Sequence, residues 1–144
     1  MTSTRLIGNS VAAICLMAAA GASAAASEKQ KALQQGARAL AANEIAEVFV
    51  GNTGTWVSAS GDKTVRIHYG RENKLSGELV GGDWSGAGFY GVANDDSICI
   101  SWNGIDDGRL RCFDVLVQDG VVKKYNPDGS LNGTYKGFGE GNTL

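Results

Sequence analysis

From Thr53 onward the chain alternates apolar and polar residues with a period of two, and turn signals interrupt it every eight to twelve residues or so. This pattern constrains the fold more than any other feature, because a period of two belongs to strands with one face buried. The strands it predicts span 53–58, 63–69, 74–80, 86–92, 97–102, 109–117, 121–125 and 131–138. Between them lie short connectors such as Ser60-Gly61-Asp62, Gly81-Gly82-Asp83, Asn94-Asp95-Asp96, Asp119-Gly120 and Asn126-Pro127-Asp128-Gly129. Gly, Asn and Asp supply positive φ or local side-chain turns, and short connectors make successive strands antiparallel neighbours. The expected fold is mainly β: an antiparallel meander of about eight strands, forming a small closed or partly open barrel. Closure would remove exposed strand edges. An open sheet or a sandwich would satisfy the same strand count.

Composition agrees. Gly accounts for 21 of 144 residues against one Pro, about twice the usual glycine share. The glycines have no three-residue period, which excludes collagen. Gly77, Gly86, Gly88, Gly91, Gly133 and Gly137 fall inside or at the ends of predicted strands, where glycine marks bulges or close backbone approach. Hydrophobic residues make up 43% of the chain and the net charge is −2, which argues against wholesale disorder. The acidic balance also argues against a nucleic-acid partner, which needs a basic patch.

Residues 1–24 have the form of a cleaved signal peptide. Thr4-Arg5 gives a positive start, 6–20 is largely apolar, and Ala22-Ser23-Ala24 is a small-x-small cleavage site. The apolar run is shorter than the roughly 20 residues a transmembrane helix needs, so no stable membrane anchor is expected after cleavage. Ile14 precedes Cys15 where a lipobox would place a small residue. The expected location is the periplasm or the exterior. Two cysteines then remain, Cys99 and Cys112, and one disulfide is the expectation in an oxidising compartment.

Residues 25–42 read as a solvated helical or flexible segment broken near Gly36, with Leu33 and Leu40 as its large apolar groups. Residues 43–144 read as a single barrel-like domain that opens with a short helix over 44–50. Asn43 is the expected cap, Glu44 and Glu47 suit the positive end of the helix dipole, and Gly51 suits the stop. Ile45, Val48 and Phe49 form its apolar face.

The strongest local feature is the hairpin of Ser97-Ile98-Cys99-Ile100-Ser101-Trp102 with Arg109-Leu110-Arg111-Cys112-Phe113. Pairing Trp102 with Arg109 puts Cys99 opposite Cys112, close enough for a structural cross-strand disulfide if they form the narrower type of pair. It also sets up a cross-strand contact, or a cation–π contact, between Arg109 and Trp102. His68 shares the polar face of its strand with Thr64 and Arg66, which reads as a surface histidine. No Gly-x-Ser-x-Gly elbow accompanies it. Asp95-Asp96 and Asp106-Asp107 sit in turns, where Asp is the ordinary residue. Two cysteines and one histidine do not make a metal site, and no calcium-loop pattern is present. No cofactor, metal or catalytic constellation is expected.

Thr53-Gly54-Thr55-Trp56, Leu75-Ser76-Gly77 and Gly133-Thr134-Tyr135 resemble segments of avidin-type barrels. The Trp and Ser/Thr clusters that contact biotin in that family are not recognisable here. The resemblance therefore implies a lipocalin- or avidin-like architecture without biotin binding. Phe49-Val50-Gly51-Asn52-Thr53, Ile98-Cys99-Ile100-Ser101-Trp102, Arg111-Cys112-Phe113 and Gly141-Asn142 resemble a second group over most of the exported chain. It is a family of small secreted α-proteobacterial proteins catalogued as a domain of unknown function, with a Cys-x-x-Trp … Cys-Phe core. That resemblance implies a periplasmic, disulfide-bonded, single-domain β-protein and carries over no catalytic residue.

The function expected is a monomeric, non-enzymatic binding module for a small molecule or a periplasmic protein. Its contact candidates are Trp56, Trp84, Phe89, Tyr90, Trp102 and Arg109. An inhibitor of a secreted hydrolase such as lysozyme, acting through the 103–108 loop, is the alternative, and an enzyme ranks last. A cavity of several hundred Å³ lined by aromatics would favour small-molecule binding; a solid core with a protruding 103–108 loop would favour the inhibitor.

Overall fold

The computed structural model describes Gly21 and residues 23–144, so the signal segment read over 1–24, with Cys15, lies almost entirely outside the described residues. The elements run α1 (Glu28–Gln34), β1 (Arg38–Ala39), α2 (Ala42–Phe49), β2 (Asn52–Ser58), β3 (Thr64–Tyr69), β4 (Lys74–Leu79) and β5 (Ser85–Ala93). They continue through β6 (Ser97–Trp102), a 3-10 turn at Asp106–Gly108, β7 (Arg111–Gln118), β8 (Val121–Tyr125) and β9 (Leu131–Glu140). Each strand from β2 to β9 pairs antiparallel with the next, and β9 returns to pair with β2. The result is a closed eight-stranded meander barrel with β1 as an extra strand. Closure is what the exposed-edge argument favours, and the barrel strands lie within two residues of their predicted bounds at each end.

The extra strand has a clear cause. β6 pairs with β7 only as far as Asp114, which leaves the rest of that β7 edge open. β1 covers it, setting Arg38 against Val117 and Ala39 against Leu116, and Leu40 N–H donates to the Val115 carbonyl at 2.9 Å. A covered edge cannot recruit another chain.

The inward positions of the strands carry Val65, Ile67, Tyr69, Leu75, Tyr90, Ile98, Ile100, Phe113, Val115, Val122 and Tyr135, all buried. α2 plugs one end of the barrel. Ile45 and Phe49 are fully buried, and the Phe49 ring meets Tyr69 and Tyr135 edge-on at 4.9 and 5.3 Å between centroids. Gly51 follows the helix at φ 82°, as expected for its stop. The start differs from expectation: the cap position is Ala41, and Asn43 lies inside the helix. Two carboxylates take over Asn43's expected role. Glu44 accepts from Ala41 N–H at 2.9 Å, and Asp96 from the β5–β6 turn accepts from Ala42 N–H at 2.7 Å.

The segment over 25–42 is exposed along most of its length, with α1 ending ahead of Gly36 at φ 96°, but it is docked at a few side chains. Ala32 and Ala37 pack with Leu116 and Tyr125 on the outside of β7 and β8, while Leu33 stays exposed. Ser27 and Gln30 form a reciprocal capping box, and Lys29 pairs with Asp114.

Register between β6 and β7 is as read from the sequence: Ile98 faces Phe113, Cys99 faces Cys112 and Ile100 faces Arg111. The cysteines form a disulfide with their Cα atoms 3.9 Å apart, the narrow kind of cross-strand pair. The ladder ends at Ile100 and Arg111, so the expected pairing of Trp102 with Arg109 does not form. The 3-10 turn at Asp106–Gly108 takes the chain out of register before Arg109 is reached. His68 is half-buried, with Nδ1 3.3 Å from the buried Thr53 hydroxyl, which itself donates to the Gly141 carbonyl.

Candidate functional site

The barrel is filled at the α2 end and hollow at the other. The cavity holds about 470 Å³ and opens among the loops that join β2 to β3, β4 to β5, β6 to β7 and β8 to β9. Its wall is apolar: Trp56, Trp84 and Trp102 line it with Val65, Ile67, Leu79, Ile100 and Phe113. Trp84 and Trp102 meet edge-on at 5.4 Å between centroids.

The tryptophans have room because glycines face them. A Cβ at Gly133 would lie 2.1 Å from Trp56 Nε1, one at Gly77 would lie 2.9 Å from the Trp102 ring, and one at Gly86 would lie 2.5 Å from Trp84. These strand glycines, read from the sequence as marks of close approach, are the surfaces on which the cavity's indoles rest.

Within this apolar space lies one cation. Lys124 on β8 is 4% exposed, and its Nζ stands 4.6 Å from the Phe113 ring centroid, 5.5 Å from Trp56 and 5.7 Å from Tyr135. Among the described residues no carboxylate pairs with it, and its Nζ donates no hydrogen bond. Burial alone draws its pKa down from 10.5 to about 7. Among the described residues, aromatic faces supply its compensation, through cation–π attraction. Trp56 Nε1, on the same wall, is buried without a hydrogen-bond partner among the described residues.

Local backbone irregularity aims both side chains. The β2–β9 ladder slips between Thr55 and Trp56, and the β8–β9 ladder slips between Lys124 and Tyr125. Bulges re-aim side chains and gather near functional sites. Below the cavity the Tyr69 and Tyr135 hydroxyls share a buried hydrogen bond of 2.5 Å; burial raises the pKa of both phenols.

The mouth is positively charged. Lys63, Arg109 and Arg111 line it with one acid, Asp106, which pairs with Arg111. Counting Lys124, four cations face one carboxylate in a chain whose net charge is −2. Asp106 and Asp107 both have positive φ, 50° and 56°, a conformation Asp tolerates better than most residues. The loop they belong to contributes Ile105 and Asp106 to the cavity wall.

Of the contact candidates read from the sequence, the structure brings Trp56, Trp84, Trp102 and Arg109 together around this cavity. It places Phe89 on the outer face, 57% exposed, and buries Tyr90 toward α2, where its hydroxyl donates to the Gly70 carbonyl at 2.8 Å. Lys124 escaped the sequence reading. Its signal is the pair Lys123-Lys124: adjacent residues of a strand point to opposite faces, so in a closed barrel one of the two must point inward.

No family model, no curated protein and no solved structure matches this chain.

Proposed function

We propose that this chain is a non-enzymatic binding module that takes one small molecule into the open end of its barrel. The observation that carries the reading is the cavity of about 470 Å³ walled by Trp56, Trp84 and Trp102. That volume falls in the range of small-molecule sites, and barrels of this strand number hold at most one small ligand. The wall is mostly apolar and carries few polar groups, the usual division between affinity and orientation in such sites. The 103–108 loop gives two side chains to the cavity wall, which favours this reading over a hydrolase inhibitor that inserts a protruding loop.

The module is further proposed to work in the periplasm as a monomer. The signal-like segment over 1–24 supports export, and the Cys99–Cys112 disulfide fits an oxidising compartment. The resemblance of the Cys-x-x-Trp … Cys-Phe core to small secreted α-proteobacterial proteins points the same way.

Native mass spectrometry of the protein isolated from the periplasm tests the proposal. The expected spectrum shows a fraction of the protein carrying one small-molecule adduct that is lost on denaturation. A stoichiometric protein partner in place of an adduct would support the inhibitor reading and count against this one.

A further inference from the structure

Resting on the reading of the cavity as a small-molecule site, we propose that its ligand is a monoanion with a flat apolar body, of the aryl carboxylate class. The anionic head would lie against Lys124 Nζ and the body among Trp56, Trp84 and Trp102.

Three observations converge on this class. First, Lys124 is a buried cation without a carboxylate partner among the described residues, on the wall of a cavity large enough to admit a ligand. A buried charge is ordinarily paired, because leaving water without a counter-charge is costly. A ligand carboxylate would supply the missing partner. Second, the remaining cavity charges are three cations and one acid, and Arg111 already occupies that acid. Lys63 and Arg109 are left at the mouth to draw an anion inward. Third, apart from these charged groups and Asn132 the lining is indole, phenyl and aliphatic surface, which suits a planar apolar body, and Lys124 is the one ammonium set deep among it. One buried ammonium matches a carboxylate better than a phosphate dianion.

Such binding is coupled to protons. An anion against Lys124 favours its charged form, so above about pH 7 binding draws a proton from solvent and affinity falls. The groups around Lys124 do not reverse this sign. Trp56, Phe113 and Tyr135 face it from β2, β7 and β9, and the Tyr135 phenol stays neutral because burial raises its pKa. Lys63, Arg109, Arg111 and Asp106 are the other charged groups on the same lining.

The test is isothermal titration calorimetry of 1-naphthoate and its neutral isostere 1-naphthamide, at pH about 6.5 and 8.5, with the wild type and Lys124→Met. The expected result is a preference for naphthoate over naphthamide of about tenfold or more at the lower pH. That preference shrinks at the higher pH, and naphthoate binding there is accompanied by proton uptake, read from buffers of different ionisation enthalpy. Lys124→Met should erase the preference while still binding naphthamide. Equal binding of both probes by the wild type would overturn the anion assignment and leave the small-molecule reading standing. Failure of both probes, together with an adduct-free native mass spectrum, would overturn both. The wild-type comparison of acid with amide decides the matter even if the variant does not fold.

Discussion

At the residue scale the unusual group is Lys124, and its energetics run against its being there for stability. Its charged form is disfavoured by burial, so its folded pKa of about 7 lies below the unfolded value near 10.5. Between these values the unfolded chain binds more protons than the folded one, so the unliganded protein should gain stability as pH rises from about 7 toward 10. The slope approaches about 1.4 kcal/mol per pH unit. Above about pH 10 the sign reverses. Tyr69 and Tyr135 keep their protons in the fold because burial raises their pKa values, while the unfolded chain releases its own. Lys124→Met should remove the rise and stabilise the apoprotein by about 1–4 kcal/mol, as replacing buried charge with packed apolar atoms often does. Urea unfolding of both proteins across this pH range checks both statements; equal stability and equal slopes would contradict them. A residue that destabilises its own fold is the kind retained for a site.

At the element scale the legible and illegible parts of the chain separate by range of interaction. Strand bounds and the β6–β7 register could be read because period-two alternation and short turns are local signals, and Cys99 opposite Cys112 followed from counting around one loop. The docking of α1 was not legible. It relies on Ala32 and Ala37 against Leu116 and Tyr125, small residues that carry little signal until the barrel's outer face exists. Asn43 misled as a cap because α2 starts earlier, at Ala42: Glu44 caps it locally from the third helical position, and Asp96 does so from the β5–β6 turn, 54 residues away. The disulfide belongs to this scale as a staple of one hairpin on the barrel's outer face. Replacing both cysteines by serine should lower stability by about 3 kcal/mol, as expected for a loop of this size. Because the cavity is lined by neither cysteine, probe binding at a temperature where the variant is folded should be unchanged. Calorimetry on the variant checks both; lost binding with intact folding would place the disulfide in the site.

At the scale of the whole molecule the barrel is divided in two. Phe49 from α2 and the tyrosines at positions 69, 90 and 135 fill one end, and the cavity occupies the other. The meander could be read from the sequence, but the cavity could not. Whether inward side chains meet or leave a space depends on all eight strands at once and on the glycines beneath the three indoles. Four of the six contact candidates do border the space, the three tryptophans from the strands and their ends and Arg109 from the β6–β7 loop. Phe89 and Tyr90 do not: adjacent strand residues point to opposite faces, so Phe89 faces outward, while Tyr90 points inward at the end the helix plugs, which position along a strand does not reveal.

The cavity is proposed to receive a small molecule among three tryptophans beside Lys124. The most direct measurement is an NMR titration of the protein, labelled with nitrogen-15 at the indole nitrogens, with 1-naphthoate. The chain has three tryptophans, so each indole is a separate reporter on the cavity wall. All three indole resonances are expected to move together and saturate, while amides of α1 around Ala32, docked on the barrel's outer face, stay unmoved. Indoles that stay still while outer-face amides shift, or no saturable shift at millimolar probe, would contradict it.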